Sequence, residues 1–363
     1  MIGSIGSLGL LGFSRGRSVI TPGGGGDPGG GTYNAVRLLA GHMYHDGLGS
    51  GGSWTTLKDW GGGNVTVDVA DSIQQIVPVG STRFFGGIYS TAVISYDIGS
   101  DRFGVHGGIP GTNTANNEKC GTSYSNGIYT AIYEAYGLIY SSTDLSAWEN
   151  KGGGNSAFGT TSLLAGRIGS DGAGTLIRLA VNYNTLTKQQ SVDHGATWTE
   201  NSSVLYIPSG YYSIVCAPVH VGSGTWIAVG SVYGDSHDGP TFAVKSVDNG
   251  ATWSLMSAGP PAGYYPSLAY GNGVLLAVGW GGKIARSTDG GETWTAVASP
   301  YGTRNGNDIT FVGGRFFICG GDGSGGQPFV FWTTDGTAFT EESTGGSIEL
   351  YAVAGIDLGI PAA

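Results

Sequence analysis

The chain has 363 residues, a formal net charge of −10 and only 12% charged residues, with no basic run. Binding to a phosphate backbone needs clustered Lys and Arg, so a nucleic-acid partner is not expected. Glycine is extreme at 70 residues, but 9 Trp, 19 Tyr and 12 Phe supply a core, so the chain reads as globular rather than as a disordered low-complexity polymer.

Residues 1–31 open the chain as an arm. Met1-Ile-Gly-Ser-Ile-Gly-Ser-Leu-Gly-Leu-Leu-Gly-Phe13 alternates small and apolar residues, and Arg15, Arg17 and the tract Gly23-Gly-Gly-Gly-Asp-Pro-Gly-Gly-Gly31 follow. No positive charge precedes the apolar stretch and glycine interrupts it, which argues against a signal peptide. No stretch approaches the roughly 18 apolar residues of a membrane span. The arm is expected to be a tether held by a partner in a symmetric assembly. Residues 32–363 are expected to form one domain.

From residue 35 onward, short apolar runs alternate with Gly-rich turns, the pattern of an all-β chain. Ala35-Val-Arg-Leu-Leu39 reads as a second strand lacking a first. At the far end Ile348-Glu-Leu-Tyr-Ala-Val353 reads as a first strand lacking a second. One sheet built from both ends would close a ring and remove an exposed edge. The clearest unit lies between. Ser267-Leu-Ala-Tyr270 (strand A) and the turn Gly271-Asn-Gly273 lead to Val274-Leu-Leu-Ala-Val278 (B), then strand C from Lys283 and strand D from Trp294.

One phrase punctuates this series three times: Ser191-Val-Asp193-His-Gly195-Ala-Thr197-Trp198, Ser246-Val-Asp248-Asn-Gly250-Ala-Thr252-Trp253 and Ser287-Thr-Asp289-Gly-Gly291-Glu-Thr293-Trp294. Each copy sits between two strand-like runs, so it reads as a hairpin turn. The Asp can accept backbone N–H bonds, the Gly can take φ > 0, and the Trp can fill space against a neighbouring sheet. Shorter copies place Asp144 before Trp148 and Asp335 before Phe339. A longer one places Asp97 before Phe103, and the faintest places Asp46 before Trp54. The seven Asp recur every 41 to 55 residues, room for one four-stranded unit per step.

The phrase Ser-x-Asp-x-Gly-x-Thr-Trp resembles the Asp-box, or BNR repeat, of sialidase-like β-propellers. The resemblance implies a seven-bladed β-propeller of four-stranded antiparallel blades, with Asp97, Asp144, Asp193, Trp198, Asp248, Trp253, Asp289, Trp294 and Asp335 as structural residues. It also implies that ligands meet the face carrying the D-to-A and B-to-C loops, opposite the Asp-box turns. On those loops lie Tyr211, Tyr212, Tyr264, Tyr265, Tyr301, Arg304 and Asp308, with Asp235, His237 and Asp238 on a long B-to-C loop. Tyrosine, apolar in its body and polar at its tip, suits stacking against sugars; the plainer alternative is that each pair packs at the start of strand A.

Catalysis has little footing. A sialidase by resemblance needs an arginine clamp, a Tyr–Glu pair and an acid Asp. Its Phe/Tyr-Arg-Ile-Pro motif is absent, Gly166-Arg167-Ile168-Gly169 being the nearest string. An ordinary glycosidase needs two carboxylates across a cleft; Asp235, Asp238, Asp308 and Glu134 are available, but no spacing forces them together. Gly321-Asp-Gly323-Ser-Gly-Gly326 fits a dinucleotide fingerprint only formally, since no helix follows. His42 and His45 fall on opposite faces of a strand, and no Cys-pair zinc pattern occurs. No metal and no cofactor are expected. Cys120, Cys216 and Cys319, on different units, read as reduced buried thiols.

The arm is also similar in style to the glycine-rich starts of bacteriophage structural proteins. The expectation is therefore a non-enzymatic virion component, anchored by residues 1–31 to other virion proteins and displaying its propeller to host-surface glycan. A sialidase-like glycoside hydrolase or polysaccharide depolymerase is the alternative. A secreted scaffold resembling the assembly-factor propellers would require a signal peptide.

Overall fold

The computed structural model describes residues 34–42, 55–60, 63–67, 73–88, 93–98, 100, 102–107, 109, 120–133, 137–153, 167–182, 184–207, 213–232, 238–323, 327–342 and 349–361. The arm (residues 1–31), Asp46 and Trp54, and the candidate residues Glu134, Tyr211, Tyr212, Asp235 and His237 lie outside them.

Among the described residues every regular element is a strand, and the strands are joined antiparallel into separate sheets. Six sheets are built from consecutive strands. Taken along the chain, their innermost strands are Ile73–Val79, Cys120–Ser125, Gly169–Ser170, the pair Ser213–Val215 and Val219–Gly222, Ser267–Gly271, and Asn305–Val312. A further sheet joins the two ends of the chain. Its inner strand, Leu350–Pro361, pairs with Asn34–His42, and Thr55–Trp60 and Gly63–Val67 complete it. Leu350–Pro361 also packs against both Ile73–Val79 and Asn305–Val312, so this sheet closes the ring. The architecture is an all-β β-propeller, with the closing sheet as the first and the other described sheets following it in chain order to the seventh.

Local chemistry sets these elements. In the sixth sheet Ser267–Gly271 pairs with Val274–Val278 through the turn at Asn272 and Gly273, where both residues have left-handed φ (50° and 76°). Asn and Gly tolerate that conformation, and it matches the twist of the flanking strands. Val274–Val278 is buried at every position because sheets pack on both of its faces. Neighbouring sheets share apolar clusters: Trp226, Val229 and Val244 of the fifth sheet pack with Ile177 and Leu179 of the fourth and Leu275 of the sixth. Cys216 and Cys319 are buried free thiols in two different sheets, and burial raises both pKa values, that of Cys216 to about 12.

Candidate functional site

The repeated phrase makes the same turn each time. In its three full copies the Ser hydroxyl donates to the Asp carboxylate at 2.8 Å and accepts the Gly N–H at 2.8–2.9 Å. The same carboxylate accepts the Thr N–H at 2.8–3.0 Å and the Thr hydroxyl at 2.5–2.6 Å. The shorter copies keep part of the pattern: Asp144 accepts the N–H groups of Ser146 and Ala147, and Asp335 that of Thr337. In the longer copy Asp97 accepts the Ser100 N–H and pairs with Arg83 at 2.8 Å. These bonds favour the ionised carboxylate. Hydrogen bonds from Thr252 and Thr293 lower Asp248 and Asp289 to about 2, the Ser146 N–H does so for Asp144, and Arg83 for Asp97.

Each phrase also docks on the preceding sheet. A Cβ on Gly250 would stand 2.3 Å from Ile177 of the fourth sheet, and one on Gly195 would stand 2.6 Å from Thr130 of the third. Glycine is therefore required by contact as well as by φ. The residue just before the Ser supplies a bond to the next phrase. Ser141 donates to the Gly195 carbonyl (3.0 Å), Gln190 to that of Asn249 (2.7 Å) and Arg286 to that of Asp335 (2.7 Å), while Lys245 pairs with Glu292 (3.0 Å). Lys188, buried, adds bonds to the Gly250 and Ala251 carbonyls. The phrase is thus a joint between sheets. A donor stands before the Ser in each of these four sheets, a signal present in the sequence but not used.

The propeller axis is held differently, by Arg167. Its Nε donates to the Gln74 carbonyl of the second sheet (3.2 Å) and its Nη2 to the Tyr351 carbonyl of the first (3.0 Å). Its Nη1 pairs with Asp308 of the seventh sheet. Asp308 also accepts the Ser267 hydroxyl of the sixth sheet (2.7 Å) and the Val353 N–H of the first (2.9 Å). Beside this pair, Gln75 accepts the N–H groups of Thr122 and Ile168 and donates to the Ile168 carbonyl. Directly, or through Gln75 and Asp308, one short segment before the fourth sheet thus links the inner strands of six sheets. Both charged side chains are at most 10% exposed, so each compensates the other's desolvation.

On one side of this pair lies an open cavity of about 320 Å³. Arg167, Asp308 and Ser267 stand at its inner end, and His220, Tyr270 and Phe311 stand further along the inner strands, toward the turns that follow them. Those turns share an end of the ring with the repeated phrases: the N–H of Asn249 donates to the Gly224 carbonyl, and the Asn272 side chain to those of Gly314 and Thr334. The cavity therefore opens on the phrase-bearing face.

Of the candidate ligand residues, Asp308 alone among those described lines this cavity, with its oxygens already hydrogen-bonded. Tyr264, Tyr265 and Tyr301 are 1–2% exposed, so the plainer packing reading describes them. Tyr264 packs on Trp280 with ring centroids 4.5 Å apart and planes tilted by 40°, and burial raises Tyr265 to about 12. Tyr301 lies flat on Phe329 at 4.4 Å and donates to the Lys283 carbonyl, and Arg304 covers the same Phe329 ring at 4.7 Å. Asp238, exposed, pairs with Lys283 at 2.8 Å. These groups do not converge. Arg167, noted only as a fragment of an absent motif, is the axial residue.

No family model and no curated protein matches the chain. Among solved structures it is similar to YCF48 bound to D1 peptide (14% identity, TM-score 0.52, 83% of this chain and 88% of that one). It is similar also to a catalytically inactive virginiamycin B lyase from Staphylococcus aureus with quinupristin (11%, 0.55, 78% and 95%) and to YCF48 from Cyanidioschyzon merolae (12%, 0.51, 78% and 88%). At such identities the likeness is one of fold: the chain is a β-propeller protein. Among its described residues no helix is long and apolar enough to cross a membrane.

Proposed function

We propose that the chain is a seven-bladed propeller of Asp-box type acting as a structural and binding protein rather than a catalyst. In this reading residues 1–31 anchor it to neighbouring proteins of a virion, and the ring is displayed toward host-surface glycan. The observation that carries the non-catalytic part is the commitment of Asp308. Its carboxylate stands at the axis, bound to Arg167, Ser267 and the Val353 N–H, and so is engaged as a tie rather than free to move protons. The phrase carboxylates are engaged in turns in the same way. A propeller of similar fold with a bound peptide supports a macromolecular partner for the ring. The glycine-rich composition of the arm supports its role as tether.

Deletion of residues 1–31 should leave a folded monomeric ring that no longer enters particles. Normal incorporation of the truncated chain would sink the anchoring role. A glycan-hydrolysis screen with Asp308→Asn as control addresses the hydrolase alternative: turnover by the natural chain that the variant lacks, though circular dichroism shows it folded, would replace the binding reading.

A further inference from the structure

The cavity on the axis has chemistry that the structural role of Arg167 and Asp308 leaves unused. At about 320 Å³ it stands at the small end of ligand pockets, and it equals the space of about ten waters. Its walls are inner strands, among them Gly169–Ser170, Val219–Gly222, Ser267–Gly271 and Asn305–Val312. Each of these is the end strand of its sheet, so one edge carries backbone donors and acceptors that no ladder uses. At the inner end the Arg167 guanidinium has five N–H groups, and three hydrogen bonds to protein are present among the described residues. Arg167 and Asp308 cancel in charge, so the floor favours neither an anion nor a cation.

Aromatic rings stand near the mouth. Tyr270 and Phe311 are half-buried, and His220, also half-buried, packs on Trp226 at 5.1 Å. The Thr310 hydroxyl and Ser170 add small polar groups. Mixed donors and acceptors at a neutral floor, beside half-buried aromatic rings, match a molecule with hydroxyls in its plane and C–H groups on its faces. An ionic ligand would leave its charge unanswered, and a peptide side chain would leave most of the strand edges unused.

We propose that this cavity is a binding site for one neutral saccharide unit, entering from the phrase-bearing face. The ligand class rests on the glycan-display reading above. The location departs from it, since Tyr264, Tyr265 and Tyr301 of the D-to-A loops pack inward.

Saturation-transfer NMR on the full chain, with glucose, galactose, mannose and N-acetylglucosamine as probes, tests the proposal. At least one sugar should give a signal. Tyr270→Ala should weaken its binding roughly three- to tenfold, the effect of one lost stacking contact. Tyr206→Ala, on the outer strand Thr199–Tyr206, should leave binding unchanged. Circular dichroism and thermal unfolding verify that both variants fold, and His220→Ala replaces Tyr270→Ala if the latter does not. Silence from all four sugars overturns the proposal, as does binding that survives the folded mouth variant. Neither result touches the anchoring role, which the deletion of residues 1–31 tests separately.

Discussion

The phrase-bearing end of the ring and its axis both join neighbouring sheets, but on opposite plans. At the phrases one small set of bonds is repeated at Asp193, Asp248 and Asp289, each joint linking a sheet to the next. On the axis a single arginine reaches three sheets at once, across 93 to 184 residues of chain. A repeated joint spreads stability over many replaceable parts. A unique one concentrates it in a buried charge pair that has no substitute. Removing one axial partner should therefore cost more than removing any one phrase contact.

The largest expected effect follows from that contrast. Arg167→Met leaves the Asp308 carboxylate buried without its cation, and should lower stability by about 3–5 kcal/mol in urea unfolding. The double variant Arg167→Met, Asp308→Leu should regain much of the loss, because no buried charge is then left unpaired. A double variant no better than the single one would show that the neutral hydrogen bonds of the pair, not its charge balance, hold the axis.

Trp253→Ala comes next. This ring is 6% exposed in the cluster of the fourth to sixth sheets, and its indole N–H donates to the Gly250 carbonyl at 3.1 Å. A loss of about 3 kcal/mol is expected, the low end for buried Trp truncation. Trp294→Ala should cost less, since that ring is only half-buried. Equal losses would mean that the phrases contribute through their turns and not through their tryptophans.

Below these stands Ser246→Ala. Its hydroxyl accepts the Gly250 N–H at 2.9 Å and donates to Asp248 at 2.8 Å, so the change strands a buried donor and should cost about 1–3 kcal/mol. Thermal unfolding of this variant beside Arg167→Met ranks the two kinds of joint directly.

The same contrast explains what could be read in advance. The phrase announced its turns because every part of each turn lies within eight consecutive residues and recurs at a steady period. Strand bounds followed with it: Val274–Val278 is the run expected, and strand C begins one residue later than expected, at Ile284. Pairing of Asn34–His42 with Leu350–Pro361 was legible because each end lacked what the other supplied. Arg167 was opaque, because its role consists of contacts with Gln74, Asp308 and Tyr351 that no local pattern encodes. Tyr264, Tyr265 and Tyr301 misled for a related reason. An amphipathic side chain at a loop position fits a binding face or the underside of a strand equally well, and only packing against Trp280 and Phe329 decides.

The smallest effect is a pH dependence confined to the phrases. Bonds from the Thr293 hydroxyl and N–H lower the Asp289 pKa from 3.8 to about 2. A carboxylate depressed on folding contributes stability that is fully present well above 3.8 and is lost as pH falls through the folded value. The melting temperature of the natural chain should thus exceed that of Asp289→Asn at neutral pH, and the gap should close between about pH 4 and pH 2. Although Asp289 is exposed, added salt should narrow the gap only slightly, because the stabilising partners are hydrogen-bond donors a few ångströms away rather than distant charges. Asp308 makes the opposite control. Its cation is buried with it, so added salt should leave the loss on Asp308→Asn unchanged. A gap for Asp289→Asn that persists to pH 2 would show that the neutral carboxyl group holds the turn as well as the ion does. The phrase would then depend on geometry, where the axis depends on the balance of a buried charge pair.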